Sequence, residues 1–349
     1  MGSDEPATSG SGARAKAARL PRRLAGRIAL LTLLAVVPAA CALQELLGPR
    51  VPAEWAALVE DIRGFERRIG FRPTDNFLTL SEERRSYPFC GYASPLVLPY
   101  SYEDPAIHWR DVETKEDCAR LSAGGDIYFG QVEAMGEIGT PVTLSMVSSR
   151  LDRFIYVVIH EDCHDQFDLP YGIEEALCNV LAYKGMAAFT DEKFGSRARE
   201  DRAARRYAEA ESRRTRTTKD YYDQLELLYA RHGRNEVSSD ALLRERAWIL
   251  AKAGWSMAWK YGPLNNVILA SHMTYSRHYG FLEDVLEAHH GDLARAVAFL
   301  KHVDRVKPAP AAVMRQQRIA AEQSADFIRA YEAAVIDTIR SELAASLRK

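Results

Sequence analysis

Residues 149–185 decide the fold and read SRLDRFIYVVIHEDCHDQFDLPYGIEEALCNVLAYKG. Apolar side chains recur at helical spacing in the first part of this segment, at Leu151, Phe154, Ile155 and Val158. This stripe predicts an amphipathic helix that begins at the capping box Ser149–Asp152 and ends near Phe167. Pro170 interrupts the pattern, so a second helix is expected from Ile173 to about Gly185.

The first helix carries His160-Glu161-Asp162-Cys163-His164, an H-E-x-x-H motif. Histidines four residues apart project from one face of a helix, so both imidazoles can reach the same ion. A catalytic zinc needs a third protein ligand and an open position for water. Glu175, in the first turn of the second helix, is a candidate for this ligand, because the short turn folds that helix back toward His164. We therefore predict a Zn²⁺ site formed by His160, His164 and Glu175.

Three neighbours of these ligands are open to more than one interpretation. Glu174 points about 100° away from Glu175 on a helix, so only one of the two is expected to reach the metal. Asn179, one turn beyond Glu175, either orients a ligand or is an ordinary solvent-facing residue. Cys163 has acidic neighbours that would not lower its pKa, so a buried structural thiol is favoured over a nucleophile.

A site of this kind predicts metal-assisted hydrolysis. The ion would polarise a carbonyl and lower the pKa of its water, while Glu161 would accept the proton and pass it to the leaving amine. The expected substrate is therefore a peptide or a protein. One alternative is that His160 and His164 are satisfied core residues and Glu161 a surface carboxylate. The other is a non-catalytic, lipid-anchored binding protein that keeps a zinc-site scaffold.

The N-terminal segment has the layout of a secretory signal. Basic residues precede the apolar run Ile28–Val37, at Arg14, Lys16, Arg19, Arg22, Arg23 and Arg27. The run is too short to span a bilayer comfortably, and the following Pro38-Ala39-Ala40-Cys41 resembles a bacterial lipobox. We expect export to the cell envelope or periplasm and a membrane anchor at an acylated Cys41. Cleavage after Ala42, giving a soluble periplasmic protein, is the alternative.

Net charge and cysteine content bear on the binding partners and on the disulfides to expect. A formal net charge of -2 over 349 residues offers no basic excess for phosphates, so nucleic-acid binding is not expected. In an oxidising compartment Cys90 and Cys118 can form a disulfide, and the equal alternative is four separate buried thiols that include Cys163 and Cys178. The sequence does not fix the pairing.

The chain divides into a signal segment (1–41), a part that carries the metal motif (42–190) and a helical part of the same catalytic unit (191–349). Short strands are expected at 76–80, 95–98 and 126–129. Helices are expected from about residue 52 and over 104–122, 191–220, 239–260, 281–304 and 317–347, with a break at Pro308 and Pro310. The predicted class is α+β, mostly helical, with a small sheet before the motif helix and a helical C-terminal half.

Residues 158–185 resemble the glutamate-zincin peptidases, in which H-E-x-x-H is followed by a Pro, an apolar residue and E-x-L-A at the start of a helix. The matching positions are Pro170, Ile173, Glu175 and Leu177. More specifically, the chain resembles, over about residues 60–305, a bacterial family of zinc aminopeptidases that are often lipoproteins. Further matching stretches lie at 124–128, 133–142, 264–266 and 271–275. The resemblance implies a zincin-like fold, a zinc ion and peptidase activity.

The resemblance also implies an oxyanion donor, because a distant Tyr or His commonly has this role in such enzymes. Tyr275 is the first candidate, ahead of His272, and simple packing of an amphipathic helix is the alternative. An aminopeptidase also needs acidic groups that capture the substrate amine, for which Glu174 and Asp162 are the candidates. The G-x-M-E-N exopeptidase signature is absent, so the choice between exopeptidase and endopeptidase stays open.

The chain departs from the family pattern at four positions near the motif. It has Asp162 and Cys163 where the family usually has small apolar residues, Glu174 where it usually has Asn, and Cys178 where it usually has Ala. An additional acid close to the metal is expected to raise metal affinity or to alter substrate preference.

Overall fold

The computed structural model describes residues 51–81, 87–122, 124–132, 139–346 and 348. The predicted signal and the anchor at Cys41 lie outside these residues. The described helices are α1 Ala53–Arg68, α2 Lys115–Leu121, α3 Leu144–Val147, α4 Leu151–His164, α5 Tyr171–Phe194, α6 Arg199–Gly233, α7 Ser239–Ser256, α8 Asn266–Ser276, α9 Tyr279–Ala288, α10 Leu293–Val306, α11 Pro310–Gln317 and α12 Ala325–Ser346. The described strands are β1 Leu80–Ser81, β2 Tyr87–Ala93, β3 His108–Asp111, β4 Asp126–Val132 and β5 Val142–Thr143. The predicted mostly helical α+β class is confirmed. None of these helices has the length and apolar character needed to cross a bilayer.

Helix α5 is the centre of the molecule. Residues 172–183 are buried without interruption, as expected for a helix that is apolar on nearly all sides. It packs against α4, α6, α8 and α9. The motif helix α4 lies along one of these sides, and its apolar stripe, with Phe154, Ile155 and Val158 fully buried, faces the core. The two helices predicted around the motif are therefore confirmed, and they lie side by side.

Three strands form a small antiparallel sheet in the order β3-β2-β4. The central strand β2 includes Cys90, which forms a disulfide with Cys118 of α2. Gly91 lies directly under the ring of Trp109, where a Cβ atom would collide with it. The predicted strand at 126–129 is confirmed and extends to Val132. The predicted disulfide alternative at Cys90 and Cys118 is the one that the structure contains.

Several predictions of local structure are wrong. The segment 95–98 is not a strand, because the carbonyls of Pro95 and Val97 accept hydrogen bonds from the side chains of Tyr229 and Asn266. The segment 76–80 is extended only at its end, in β1. Instead of one helix over 104–122, strand β3 precedes the short helix α2. Strand β2 was not anticipated.

Helix boundaries also differ from those predicted around the motif. Ser149 does not cap α4, since its hydroxyl donates to the carbonyl of Met146 at 2.7 Å. Helix α4 ends at His164, and α5 starts at Tyr171 and continues to Phe194.

The C-terminal half is helical, as predicted, but more finely divided. The expected helix at 281–304 is split between α9 and α10, where His290 and Gly291 adopt positive φ angles of 59° and 71°. The break at Pro308 and Pro310 is present, and Pro310 occupies the first turn of α11. Residues 48–349 form one compact unit, and the predicted division after residue 190 falls within α5.

The C-terminal helix α12 supports the first turn of α5. Its Glu332 is buried, accepts a hydrogen bond from the Tyr100 hydroxyl at 2.7 Å and pairs with Nε2 of His278 at 2.7 Å. Gly172 leaves room for this carboxylate, because a Cβ atom at position 172 would collide with Glu332 Oε1. The start of the central helix thus depends on a residue 160 positions away along the chain.

Candidate metal centre

The structure brings together the three side chains predicted to hold a metal. Nε2 of His160 lies 3.3 Å from Nε2 of His164 and 3.3 Å from Oε2 of Glu175. Nε2 of His164 lies 3.5 Å from the same oxygen. The histidines lie one turn apart on α4, and Glu175 lies in the early part of α5. These three residues form a cluster with the geometry of a metal site.

The donor triangle fits zinc in size and chemistry. Ligands about 2.0–2.1 Å from a tetrahedral ion lie about 3.3–3.4 Å apart, which matches the three edges. Two imidazoles and one carboxylate form a common catalytic zinc set that leaves the fourth position open. Oε2 of Glu175 is buried and lacks a hydrogen bond of normal geometry. A buried carboxylate oxygen is stabilised by a positive charge beside it, which a cation held by the three donors would supply.

Electrostatics at the metal-free triangle favour the anionic carboxylate and a bound proton. Burial raises the pKa of Glu175, but hydrogen bonds and charges from His160 and His164 outweigh burial and leave the pKa lowered. For His164, burial lowers the pKa, and the carboxylates of Glu174 and Glu175 raise it to about 11. When no metal is bound, His164 is therefore expected to keep both ring protons at neutral pH.

Glu174 has a different role from Glu175. Its Oε1 lies 3.1 Å from Nδ1 of His164, and its Oε2 accepts a hydrogen bond from the backbone N–H of Leu169 at 3.0 Å. A carboxylate only accepts, so Nδ1 of His164 carries the proton and Nε2 keeps its lone pair for the metal. The backbone bond at Leu169 holds the carboxylate in place. The adjacent glutamates thus face opposite sides of the same imidazole.

A second disulfide joins the two helices of the site. Cys163 of α4 is bonded to Cys178 of α5, and both are fully buried. The expectation of a free structural thiol at Cys163 is wrong, because α4 and α5 lie close enough to bring the two sulfurs together. Both cysteines are positions at which the chain departs from the family pattern. The two departures are the two halves of one bond between the ligand-bearing helices.

Nδ1 of His160 has no such partner. It is buried and makes no hydrogen bond within the described residues. Asn179 is only 4% exposed, so the solvent-facing interpretation is wrong, and its Oδ1 accepts a hydrogen bond from the Tyr156 hydroxyl at 2.5 Å. The Tyr156 ring lies 5.4 Å from the ring of His160, centroid to centroid. His160 is thus held by packing, whereas His164 is held by a carboxylate.

Asp162 lies on the opposite side of α4 from the metal ligands. Its Oδ1 accepts hydrogen bonds from the Thr74 hydroxyl at 2.5 Å and the Asn76 amide at 2.9 Å. It also faces the buried Glu66 of α1, whose pKa is raised well above its ordinary value by burial and by the charge of Asp162. Since Glu174 is bonded to His164, neither of the predicted amine-capturing acids is free to bind a substrate amine.

Tyr275 of α8 shares its environment with the carboxylates of the site. Tyr275 is 36% exposed. The negative charge of Glu175 is the largest cause that raises the pKa of its hydroxyl well above the ordinary value, and the charge of Glu161 also raises it. His272 lies instead against Trp259, at 5.4 Å between ring centroids, and burial and Arg214 lower its pKa to about 4. The charge of Glu175 thus acts on Tyr275 and is not among the causes that shift the pKa of His272. Glu161 itself is half-buried on α4.

Sequence reasoning missed Tyr171. Burial raises the pKa of the Tyr171 hydroxyl well above its ordinary value. The charge of Glu175 and a hydrogen bond to the Glu175 carboxylate raise it further. Tyr171 lies four residues before Glu175 on α5, and side chains at this spacing are neighbours on a helix. The spacing was a usable signal, but the predicted helix started two residues too late to include it.

Comparison with known proteins gives one match. The family model described as "Putative aminopeptidase" matches residues 110–319, which is more than half of the chain. The matched range contains the donor triangle, Glu161 and Tyr275. Neither the curated proteins nor the solved structures include a match.

Proposed function

Because the chain belongs to the "Putative aminopeptidase" family, we propose that it is a zinc-dependent peptidase of zincin-like fold. His160, His164 and Glu175 hold the metal in this proposal. The observation that carries it is the donor triangle, whose edges of 3.3, 3.3 and 3.5 Å suit a tetrahedral zinc ion. When bound, zinc supplies a Lewis acid that polarises the scissile carbonyl and lowers the pKa of a water molecule.

The residues around the triangle supply the proton transfers. Glu161 follows His160 on α4 and acts as general base, accepting the proton of the attacking water and passing it to the leaving amine. Tyr275 keeps its hydroxyl proton, since its pKa is raised by the negative charges of Glu175 and Glu161. A protonated phenol can donate a hydrogen bond to the oxyanion that develops on the carbonyl. Glu174 holds the tautomer of His164 that leaves Nε2 free.

The substrate is a peptide or a protein. The bonds made by Asp162 and Glu174 argue against amine capture by these acids. Cleavage of peptides with a free or an acetylated N-terminus would therefore distinguish an exopeptidase from an endopeptidase.

The decisive experiment is Glu161→Gln in the full chain. Because Glu161 is not a ligand, the variant should bind one zinc as tightly as the unaltered protein. Loss of the general base should lower peptide hydrolysis by about 10²- to 10⁴-fold. Zinc content and thermal unfolding serve as controls for the site and the fold. If the zinc-loaded protein cleaves nothing in a diverse peptide library and Glu161→Gln behaves identically in binding, a zinc-stabilised binding protein replaces the peptidase.

We also propose that the chain is exported and anchored through an acylated Cys41. The support is the basic segment, the apolar run 28–37 and the small residues before the cysteine. Cys41→Ser should release the protein from the membrane fraction and abolish labelling by fatty acid. A variant that still sediments with membranes, together with an unlabelled parent protein, would replace the anchor by simple secretion.

A further inference from the structure

Helix α7 and the loop after it present large aromatic side chains to solvent. Trp248 is 53% exposed, Trp255 is 91% exposed and Tyr261 is 78% exposed. Exposed aromatic groups that cluster in this way mark contact surfaces. We call the exposed face formed by Arg244, Trp248, Ala251, Lys252 and Trp255 the tryptophan face.

The tryptophan face is one continuous stripe of α7. Arg244, Trp248, Ala251 and Trp255 fall within an arc of about 60° on a helix, and all are exposed. Lys252 flanks the arc, and its Nζ lies 3.5 Å from the centroid of the Trp248 ring. Leu242, Leu250 and Ala253 on the opposite side are buried. One face of the helix therefore packs into the core with aliphatic side chains. The opposite face is aromatic and exposed to solvent.

The charge around the tryptophan face is mostly positive, and the exposed acids of α7 are Asp240 in its first turn and Glu245. The sequence contains no aspartate or glutamate from residue 246 to residue 282. The preceding Glu245 is paired with Arg231 at 3.4 Å. Within the described part of the chain, Arg244, Lys252 and Lys260 are exposed cations without a carboxylate partner. The face is thus both aromatic and cationic.

We propose that the tryptophan face docks on an anionic phospholipid surface. Tryptophan and tyrosine favour the headgroup level of a bilayer, where the ring is half in and half out of water. Lysine and arginine next to them attract anionic headgroups, and long stems let the charges reach the phosphates. A convex helix ridge with this composition suits the plane of a membrane interface.

The same charges disfavour a second copy of the chain as the occupant. A twofold contact places the same patch of each copy against the other. Arg244 and Lys252 would then lie close to the same cations of the other copy, whereas the nearest carboxylate on the ridge, Asp240, lies at the N-terminal end of α7. The inference goes beyond the peptidase activity and does not depend on the anchor at Cys41. The face would determine which side of the molecule turns toward the membrane.

Quenching by brominated lipids tests this contact in the full chain. Bromine on the acyl chains quenches only tryptophans that enter the bilayer, so binding through residues 1–47 alone does not produce the signal at α7. The vesicles contain equal parts of phosphatidylcholine and phosphatidylglycerol. The parent protein is compared with Trp248→Phe/Trp255→Phe. The matched control is Trp55→Phe/Trp109→Phe, which removes two tryptophans and leaves the face intact.

We expect emission from the parent protein and from the matched control to be quenched. In Trp248→Phe/Trp255→Phe the quenched fraction should fall to a small remainder. Lys252→Gln should weaken binding to the anionic vesicles by about fivefold, and vesicles of phosphatidylcholine alone should bind weakly. An unquenched parent protein, or equal quenching in Trp248→Phe/Trp255→Phe, would overturn the proposal. Lipid-free dimers in sedimentation velocity that disappear in that variant would assign the face to a second copy instead.

Discussion

Two regions of the molecule each contain one disulfide, and the two disulfides join different kinds of structure. In the helix pair α4 and α5, the Cys163–Cys178 disulfide lies one residue from His164 and three residues from Glu175. In the sheet module of β2, β3, β4 and α2, the Cys90–Cys118 disulfide ties α2 to the central strand. The helix pair carries all three proposed metal ligands, and the sheet module carries none of them. The two crosslinks have similar expected effects on stability, but only Cys163–Cys178 joins the two helices of the proposed metal site.

The largest expected difference between the regions is in metal binding. Glu175→Ala should lose zinc, with affinity reduced by more than the 10- to 100-fold typical of a residue behind a ligand. Asp126→Ala is the matched change in the sheet module, since Asp126 is also buried and pairs with Arg246. It should lower stability and keep one zinc per chain. Metal analysis after dialysis measures the zinc content of both variants. Equal loss of zinc from the two would contradict the assignment of the metal site to the helix pair.

Glu174→Gln should show a smaller effect within the helix pair. The amide oxygen can still accept from Nδ1 of His164, but the charge is lost, so zinc affinity should fall by about 10- to 100-fold. Saturating zinc should restore full occupancy. Competition with a chromogenic chelator measures the affinity. A variant that cannot be saturated would make Glu174 a ligand and overturn its separation from Glu175.

The zinc affinity of the helix pair should depend on pH, because His164 binds a proton that zinc displaces. The folded pKa of His164, about 11, lies above its ordinary value of 6.5, so its proton stabilises the metal-free fold fully below about pH 6.5. This contribution is lost as pH rises through about 11. Zinc must displace that proton, so affinity should rise about tenfold per pH unit across the neutral range. Calorimetry in buffers of different ionisation enthalpy should detect one released proton. No proton release would mean that His164 is already neutral.

The smallest expected effect on zinc comes from the disulfides themselves. Sequence separations of 15 and 28 residues predict stabilisation of about 3 and about 3.6 kcal/mol, respectively, in the chain-entropy model. Cys90→Ala/Cys118→Ala should therefore destabilise the fold slightly more than Cys163→Ala/Cys178→Ala. Only the latter should weaken zinc binding, by several-fold, because it frees the two ligand helices. Denaturant unfolding and chelator competition on both variants separate the two properties. Equal zinc affinity in both would show that the second crosslink has no role at the metal.

The helix pair was predictable from sequence because its information is local. A stripe of period 3.6 and two histidines four residues apart specify which face of α4 turns to the core and which groups share an ion. The short turn at Pro170 predicted a glutamate near His164, and the resemblance to the glutamate-zincin pattern selected Glu175 over Glu174. The role of Glu174 was not predictable, because it depends on the backbone N–H of Leu169, whose position only the folded turn defines.

The sheet module was largely missed because its information is not local. Strand β2, with the sequence YPFCGYA, lacks a regular alternation, and its register is set by partners at 108–111 and 126–132. The apolar run at 95–98 looked like a strand, but its carbonyls bond to side chains of α6 and α8. Likewise, the four cysteines after Cys41 allow three sets of two disulfides, and the pairing of Cys163 with Cys178 depends on the approach of α4 to α5 in the folded chain.

The contact between Gly172 and Glu332 limits where the chain can be shortened. The family match ends at residue 319, whereas Glu332 lies on α12, which begins at Ala325. A fragment cut at the family boundary would keep every proposed metal ligand but expose the first turn of α5, where glycine has no side chain to fill the space. Tyr100 and His278 would lose their carboxylate in the same step. A recombinant catalytic fragment should therefore extend through Ser346, and a shorter one should be cut readily by proteases in the turn before α5.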